Sequence, residues 1–225
     1  MTVQELAEAN RQALALLLTG NRELWTIVAI SFSVSLRAIL IAVPMALGVV
    51  FLLAHLRFPG CRLLISAFNT LLALPAVVVG LTVYMLLLLF TQTAMIVGQI
   101  ILCLPLLVAM SHATLQAVDR RAWETAVTLG ARPWQAMLTL MYEVRFGLIA
   151  AVVSAFRRII AEVGSSMMVG GNILNYTRNI PTAIALETSK GEFAQDIALG
   201  LVLLLLALIL NFALSFLQGK GTIRP

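Results

Sequence analysis

The chain has 225 residues, of which 61% are hydrophobic and 11% charged, with a net charge of +5. A soluble domain carries about half apolar and about a quarter charged residues, so a chain built around one water-solvated core is excluded. The positive charge reads as membrane orientation, with no call for nucleic acid as a partner.

The apolar residues lie in long continuous runs, not in the alternation of a transmembrane barrel strand. About 20 such residues make a helix that crosses the bilayer, and a helix pairs every backbone group internally. The expected fold is therefore all-α, a polytopic membrane protein with about five transmembrane helices in one domain, 1–225. Glu5 and Glu8 stand where a secretory signal is basic, and Leu14–Leu18 is short for its apolar core, so no such signal is expected. Thr2-Val3-Gln4-Glu5 fits a capping box. Leu6, Ala9, Ala13, Leu14 and Leu17 then follow helical spacing, predicting an amphipathic helix over 1–20 on a membrane face, ended by Gly20-Asn21.

Five spans are predicted, at 24–54, 68–89, 94–114, 146–169 and 197–216. Pro44, Pro75 and Pro105 fall inside the first three, where membrane helices tolerate and kink at proline. Only Phe90–Thr93 joins the second span to the third. Cys61 and Cys103 lie in or beside apolar segments and read as buried thiols, not a disulfide framework. An odd number of spans puts the termini on opposite sides. One set of flanks holds Arg57, Arg62, Arg120, Arg121, Arg132, Arg145, Lys220 and Arg224; the other holds Arg11, Arg22, Arg178 and Lys190. The richer set is read as cytoplasmic, which puts the N-terminus outside and the C-terminus inside.

The loop 115–145 is then the largest cytoplasmic one. Asp119 is placed to cap a helix through Leu129. Gly130 suits the left-handed position beyond its end, and Pro133 suits the first position of a second helix. A helical hairpin of this kind can fill a groove on a partner. Here Glu124-Thr125-Ala126, followed four residues later by Gly130, resembles the EAA loop of ABC importer permeases, in which the pattern is Glu-Ala-Ala, three residues, Gly. Thr125 replaces the middle alanine, and Tyr142-Glu143 stands where that family has Leu-Pro. The resemblance implies a type I permease fold and a coupling loop that docks on a cytoplasmic ATPase. Its residues would be Ala122, Trp123, Glu124, Thr125, Ala126 and Gly130. Small Ala122 and Ala126 permit close approach, Trp123 is an anchor with a polar edge, and Glu124 can meet a basic residue. The alternative is a solvated connecting helix.

Downstream, Glu162-Val163-Gly164-Ser165-Ser166-Met167-Met168-Val169-Gly170-Gly171-Asn172-Ile173 resembles the tungstate branch of the molybdate, tungstate and sulfate importer permeases. So do Thr177-Arg178, Pro181–Thr188 and Leu74–Leu81. That resemblance implies a homodimer in a bacterial or archaeal cytoplasmic membrane and a partner ATPase dimer that binds ATP and Mg. It also implies an extracytoplasmic oxyanion-binding protein, and a path that opens to each side in turn. Molybdate, sulfate and phosphate are alternative cargoes. An intramembrane enzyme and a non-transporting scaffold are rivals from other classes.

Arg37, Arg157, Arg158 and Glu162 fall within spans, where charge must face protein or water. On a continuous helix Arg158 and Glu162 share a face and can pair; the alternative is that an arginine draws the oxyanion along. Gly164, Gly170 and Gly171 permit either close packing or a bending gate. Met167 and Met168 are apolar fillers or a hydrophobic constriction. Thr182–Lys190 suits a short amphipathic element at the external mouth. No phosphate-binding loop occurs in the chain. His55 and His112 lack metal-ligand spacing, and Ser165-Ser166 has no adjacent base.

Overall fold

A computed structural model describes residues 3–55, 60–86, 90–117, 120–191 and 193–219. These residues form eleven helices and no strand. The first, α1 (Val3–Leu18), closes at Gly20, whose φ is +69°. Thr2 of the expected capping box lies outside the described residues. The Asn21 side chain then accepts the Glu23 and Leu24 N–H groups at 3.0 and 3.3 Å, which starts α2 (Arg22–His55) two residues before the predicted span.

Pro44 leaves α2 unbroken, and Pro105 leaves α5 (Gln92–Gln116) unbroken. Thr91 caps α5, its hydroxyl oxygen accepting from the Ala94 N–H at 3.2 Å. The second predicted span, 68–89, requires correction. It is a pair, α3 (Cys61–Leu71) and α4 (Ala76–Leu86), whose axes differ by 97°. Pro75 lacks an N–H and disfavours helix at Leu74. The turn closes instead through Ala73 N–H to Thr70 O and Leu74 N–H to Leu71 O, and Pro75 O accepts from the Val78 and Val79 N–H groups of α4.

Helix α6 (Arg120–Thr128) and α7 (Pro133–Glu143) follow, and α7 bends by 70° into α8 (Arg145–Ile160) at Val144. The fourth predicted span, 146–169, also requires correction. Helix α8 stops at Ile160, and after Ala161-Glu162-Val163 a short α9 (Gly164–Gly170) resumes. Sixteen residues of α8 reach about 24 Å, short of the bilayer's roughly 30 Å core. Helices α10 (Ile180–Lys190) and α11 (Phe193–Gly219) complete the chain. Among the described residues α2, α5 and α11 are each long and apolar enough to cross a membrane. The number is five if the bent pairs α3–α4 and α7–α8 each count once.

Helix α5 is the centre. Half of its most apolar window is buried, against 17% for α11. Ala38, Ala42 and Ala46 repeat every four residues on α2 and are fully covered. Such small residues let helix backbones approach, here against Cys103, Leu107 and Val108 of α5, with Ala155 and Ile159 of α8 as a third wall. A second cluster joins Ala13, Leu24, Ile27, Ile180, Ala183, Ala198 and Leu199. It gathers α1, α10 and the starts of α2 and α11 at one end of the bundle. The hairpin α6–α7 therefore stands at the opposite end, beyond the last turns of α5. Helix α1 packs on α11 through Ala13, while Leu14 and Leu18 stay exposed.

Candidate functional site

Two arrangements stand out, one at each end. At the hairpin end, Gly130 has φ +86°. Its N–H reaches Val127 O at 3.0 Å, and the Ala131 N–H reaches Ala126 O at 3.0 Å. This pair of bonds is the Schellman closure of α6, which needs a residue in the left-handed region at that position. Arg132 is extended, Pro133 opens α7, and Gln135 Oε1 accepts from the Arg132 N–H at 2.8 Å. Asp119, expected to cap α6, and the side chain of Ala122 lie outside the described residues.

The hairpin presents Glu124, Thr125 and Gly130 to solvent, with Trp123 and Ala126 partly covered. Leu129 is 82% exposed. Helix α7 turns its buried Ala136 and Met137 inward and carries α6 on its outside. The elbow between α7 and α8 is clamped by Arg145. Its guanidinium lies 4.2 Å from the Tyr142 ring centre and 4.8 Å from that of Phe146, and it donates to Tyr142 O at 3.0 Å. Two residues on, a Cβ on Gly147 would meet Thr114 Cγ2 at 2.4 Å. A glycine is needed there for α8 to press on the end of α5.

At the other end, the predicted Arg158–Glu162 pair does not form, because the helix ends between them. Glu162 Oε1 instead accepts from the N–H groups of Gly164 at 2.8 Å and Ser165 at 3.4 Å, capping α9. The freed carbonyl of Ile159 takes the Glu162 N–H at 3.2 Å and the Gln99 side-chain amide at 3.3 Å. Helix α9 is tightly seated. A Cβ on Gly80 would lie 2.9 Å from Ser165 Cα, one on Gly164 2.8 Å from Val77, and one on Gly170 2.8 Å from Met95 Sδ. Gly171, with φ +64°, lies against Phe90. Met167 and Met168 are 38% and 39% exposed on the remaining face.

The segment after α9 is knitted to the rest. Thr177 donates to Gly170 O and accepts from the Ile173 N–H. Asn179 and Thr182 cap α10 reciprocally at 3.0 Å, and the Ile180 N–H donates to Ser31 Oγ on α2 at 2.6 Å. Sequence reasoning missed an ion network here. Glu187 is 2% exposed, with Lys190 Nζ at 3.0 Å and Arg178 Nη1 at 3.8 Å; Arg178 also reaches Glu23 at 3.6 Å. The spacing of Glu187 and Lys190 by three was a usable signal; the approach of Glu23 from α2 was not.

The remaining intramembrane arginines separate. Arg157 donates to Asn211 on α11. Arg158 is exposed and lines a groove between α8 and α11 with Ser154, Ala161 and Gly200, away from Glu162 and the α9 glycines. Arg37 is exposed on α2. A charge at the bilayer centre costs roughly 2.5 to 3.5 kcal/mol on insertion scales, so each exposed arginine marks water or a further protein surface. Among the described residues no group of three His, Cys, Asp or Glu could hold a metal ion. The arrangement is an exposed hairpin joined through a bent, braced elbow to a tightly packed far end.

No protein-family model matches the chain. It is 46% identical over 154 residues to the tungstate uptake system permease protein TupB of Campylobacter jejuni, covering 64% of each chain. It is 35% identical over 230 residues to the protein of the same name from Peptoclostridium acidaminophilum, covering 97% of this chain and 100% of that one. A probable anion ABC transporter permease protein of Haloferax volcanii is 36% identical over 201 residues, 83% of this chain and 87% of its own. Among solved structures, an amino acid ABC transporter with histidines superposes at a TM-score of 0.71 and 17% identity, over 98% of this chain and 100% of that chain.

Proposed function

Because this chain belongs to the ABC transporter permeases that include the tungstate uptake permeases, we propose that it is the membrane path of an ATP-driven importer for a tetrahedral oxyanion, tungstate first. It is a multi-pass membrane protein and a transport component, not an enzyme. ATP and Mg are bound by a separate cytoplasmic ATPase dimer, and a binding protein delivers the anion at the external end. Two copies of this chain, surrounded by lipid, enclose the path. The N-terminus lies outside and the C-terminus in the cytoplasm.

The observation that carries this reading is the projecting hairpin α6–α7 joined to α8 by the Arg145 clamp. Ala122, Trp123, Glu124, Thr125, Ala126 and Gly130 meet the ATPase. Closure of the ATPase pushes on α6. Because Arg145 braces the elbow and Gly147 bears on Thr114, the push moves α8 and the end of α5 together. Helix α9 follows α8 after three residues, so the stroke arrives at the far end. There Glu162, Gly164, Gly170 and Gly171 keep α9 a seated unit and Met167 and Met168 line the constriction, while Arg158 borders the path from the separate groove between α8 and α11.

The test is reconstitution in vesicles with the ATPase and binding protein, following ATP hydrolysis and uptake of tungstate, molybdate and sulfate. Tungstate should stimulate both most strongly. Stimulation by molybdate or sulfate alone would reassign the cargo. A hairpin that binds no ATPase would end the reading.

A further inference from the structure

The first half of α2 carries polar residues on one stripe. Arg22, Thr26, Ser33 and Arg37 are spaced by four, seven and four, which keeps them on one face of a helix. They line a single groove together with Gln92 at the start of α5, and no carboxylate among the described residues lines it. The Thr26 hydroxyl is occupied by Arg22 O at 2.7 Å, and the Gln92 amide by Tyr176 O at 2.6 Å. The two guanidiniums are the groove's charges. Arg37 stands 15 residues, about 22 Å, along α2 from Arg22, and 18 residues, about 27 Å, from His55. It is thus near the middle of a helix that crosses the bilayer. Arg157 differs, because Asn211 accepts from it, and Arg158 differs, because mostly aliphatic side chains line its groove.

A guanidinium held mid-span on a polar stripe needs water or a polar partner opposite it, and a passing anion is such a partner. Two arginines some 22 Å apart give an oxyanion a first and a second stop without one deep well, which suits an ion that has to leave again. Resting on the permease reading above, we infer that Arg37 is a path-lining residue that contacts the transported divalent oxyanion, with Arg22 as the outer step of the same track. The planar donor fork of arginine matches the paired oxygens of a tetrahedral oxyanion.

The experiment uses the full permease with its ATPase and binding protein in vesicles, and follows uptake of tungstate, molybdate and sulfate. Arg37→Leu should lower uptake of the transported anion about tenfold or more, while the complex still co-purifies. Arg37→Lys, which keeps the charge but not the fork, should recover only part of the loss, and Arg22→Leu, at the exposed helix start, should give a smaller loss in the same direction. If Arg37 faced lipid, Leu would remove a costly charge, and uptake would equal that of the wild type; that result overturns the inference alone. Loss of assembled complex in Arg37→Leu, with full uptake in Arg22→Leu, would mark a structural charge and also overturn it. A wild-type complex that moves none of the three anions overturns the permease reading and this inference with it.

Discussion

The hairpin α6–α7 and the segment from α9 to α10 both turn on a left-handed glycine, and they treat it in opposite ways. Around Gly130 a Cβ would meet nothing within 4 Å; on Gly171 it would fall 2.1 Å from the Phe90 ring. The hairpin turns Leu129, Trp134 and Tyr142 outward, whereas Thr177, Asn179, Thr182 and Glu187 are buried and bonded. One end of the molecule is finished by its own chain. The other is shaped by its own chain but leaves its outer face uncovered. The lever proposed above needs that asymmetry: a surface left open for a partner, and a far end that moves as a body.

The largest effect expected is at Gly171. Gly171→Ala adds the left-handed backbone cost of about 1–2 kcal/mol to an overpacking cost of about 1–3 kcal/mol against Phe90. The loss of up to about 5 kcal/mol should appear as a large fall in the thermal midpoint of the purified protein. Glu187→Ala comes next. It leaves Arg178 with the more exposed Glu23 as its remaining partner, and a cost of about 3 kcal/mol is expected on breaking a covered pair. Glu187→Gln should cost less. Gly130→Ala should lose only the backbone term, about 1–2 kcal/mol, since no neighbour is struck. Equal shifts for Gly130→Ala and Gly171→Ala would break the contrast between the two ends.

Much of this architecture was readable in the sequence because hydropathy and turn chemistry are local. The runs that became α2, α5 and α11 needed only length and composition, and the Gly130–Pro133 turn needed only the conformational limits of those two residues. What hydropathy does not carry is direction. The windows 68–89 and 146–169 are both mostly apolar, yet one bends by 97° at Leu72–Pro75 and the other pauses at Ala161–Val163. In the first, proline supplied the signal but not the angle. In the second, a carboxylate that would be costly on a membrane helix face is consumed by the N–H groups of Gly164 and Ser165, and its predicted partnership with Arg158 vanished with the helix. The Ser31–Ile180 bond joins residues 149 positions apart, and no local pattern announces it.

The smallest expected change in stability is at Glu124, and it sharpens the contrast most. Glu124 is exposed on a helix that packs on α7, so Glu124→Gln should shift unfolding by less than about 0.5 kcal/mol. Its effect belongs to the complex. If the carboxylate meets a basic residue in the ATPase groove, its loss should weaken association about tenfold or more, the scale of a buried charged contact. Association of the wild type should also weaken with added salt, and the variant should show a shallower dependence. Binding measured by titrating ATPase against the detergent-solubilised permease reads both. A stable variant that binds poorly and with a shallower salt slope places the function of this surface in the partner's groove. A variant that binds normally but melts early would mean that α6 is held from within the chain, and the two ends would no longer differ in kind.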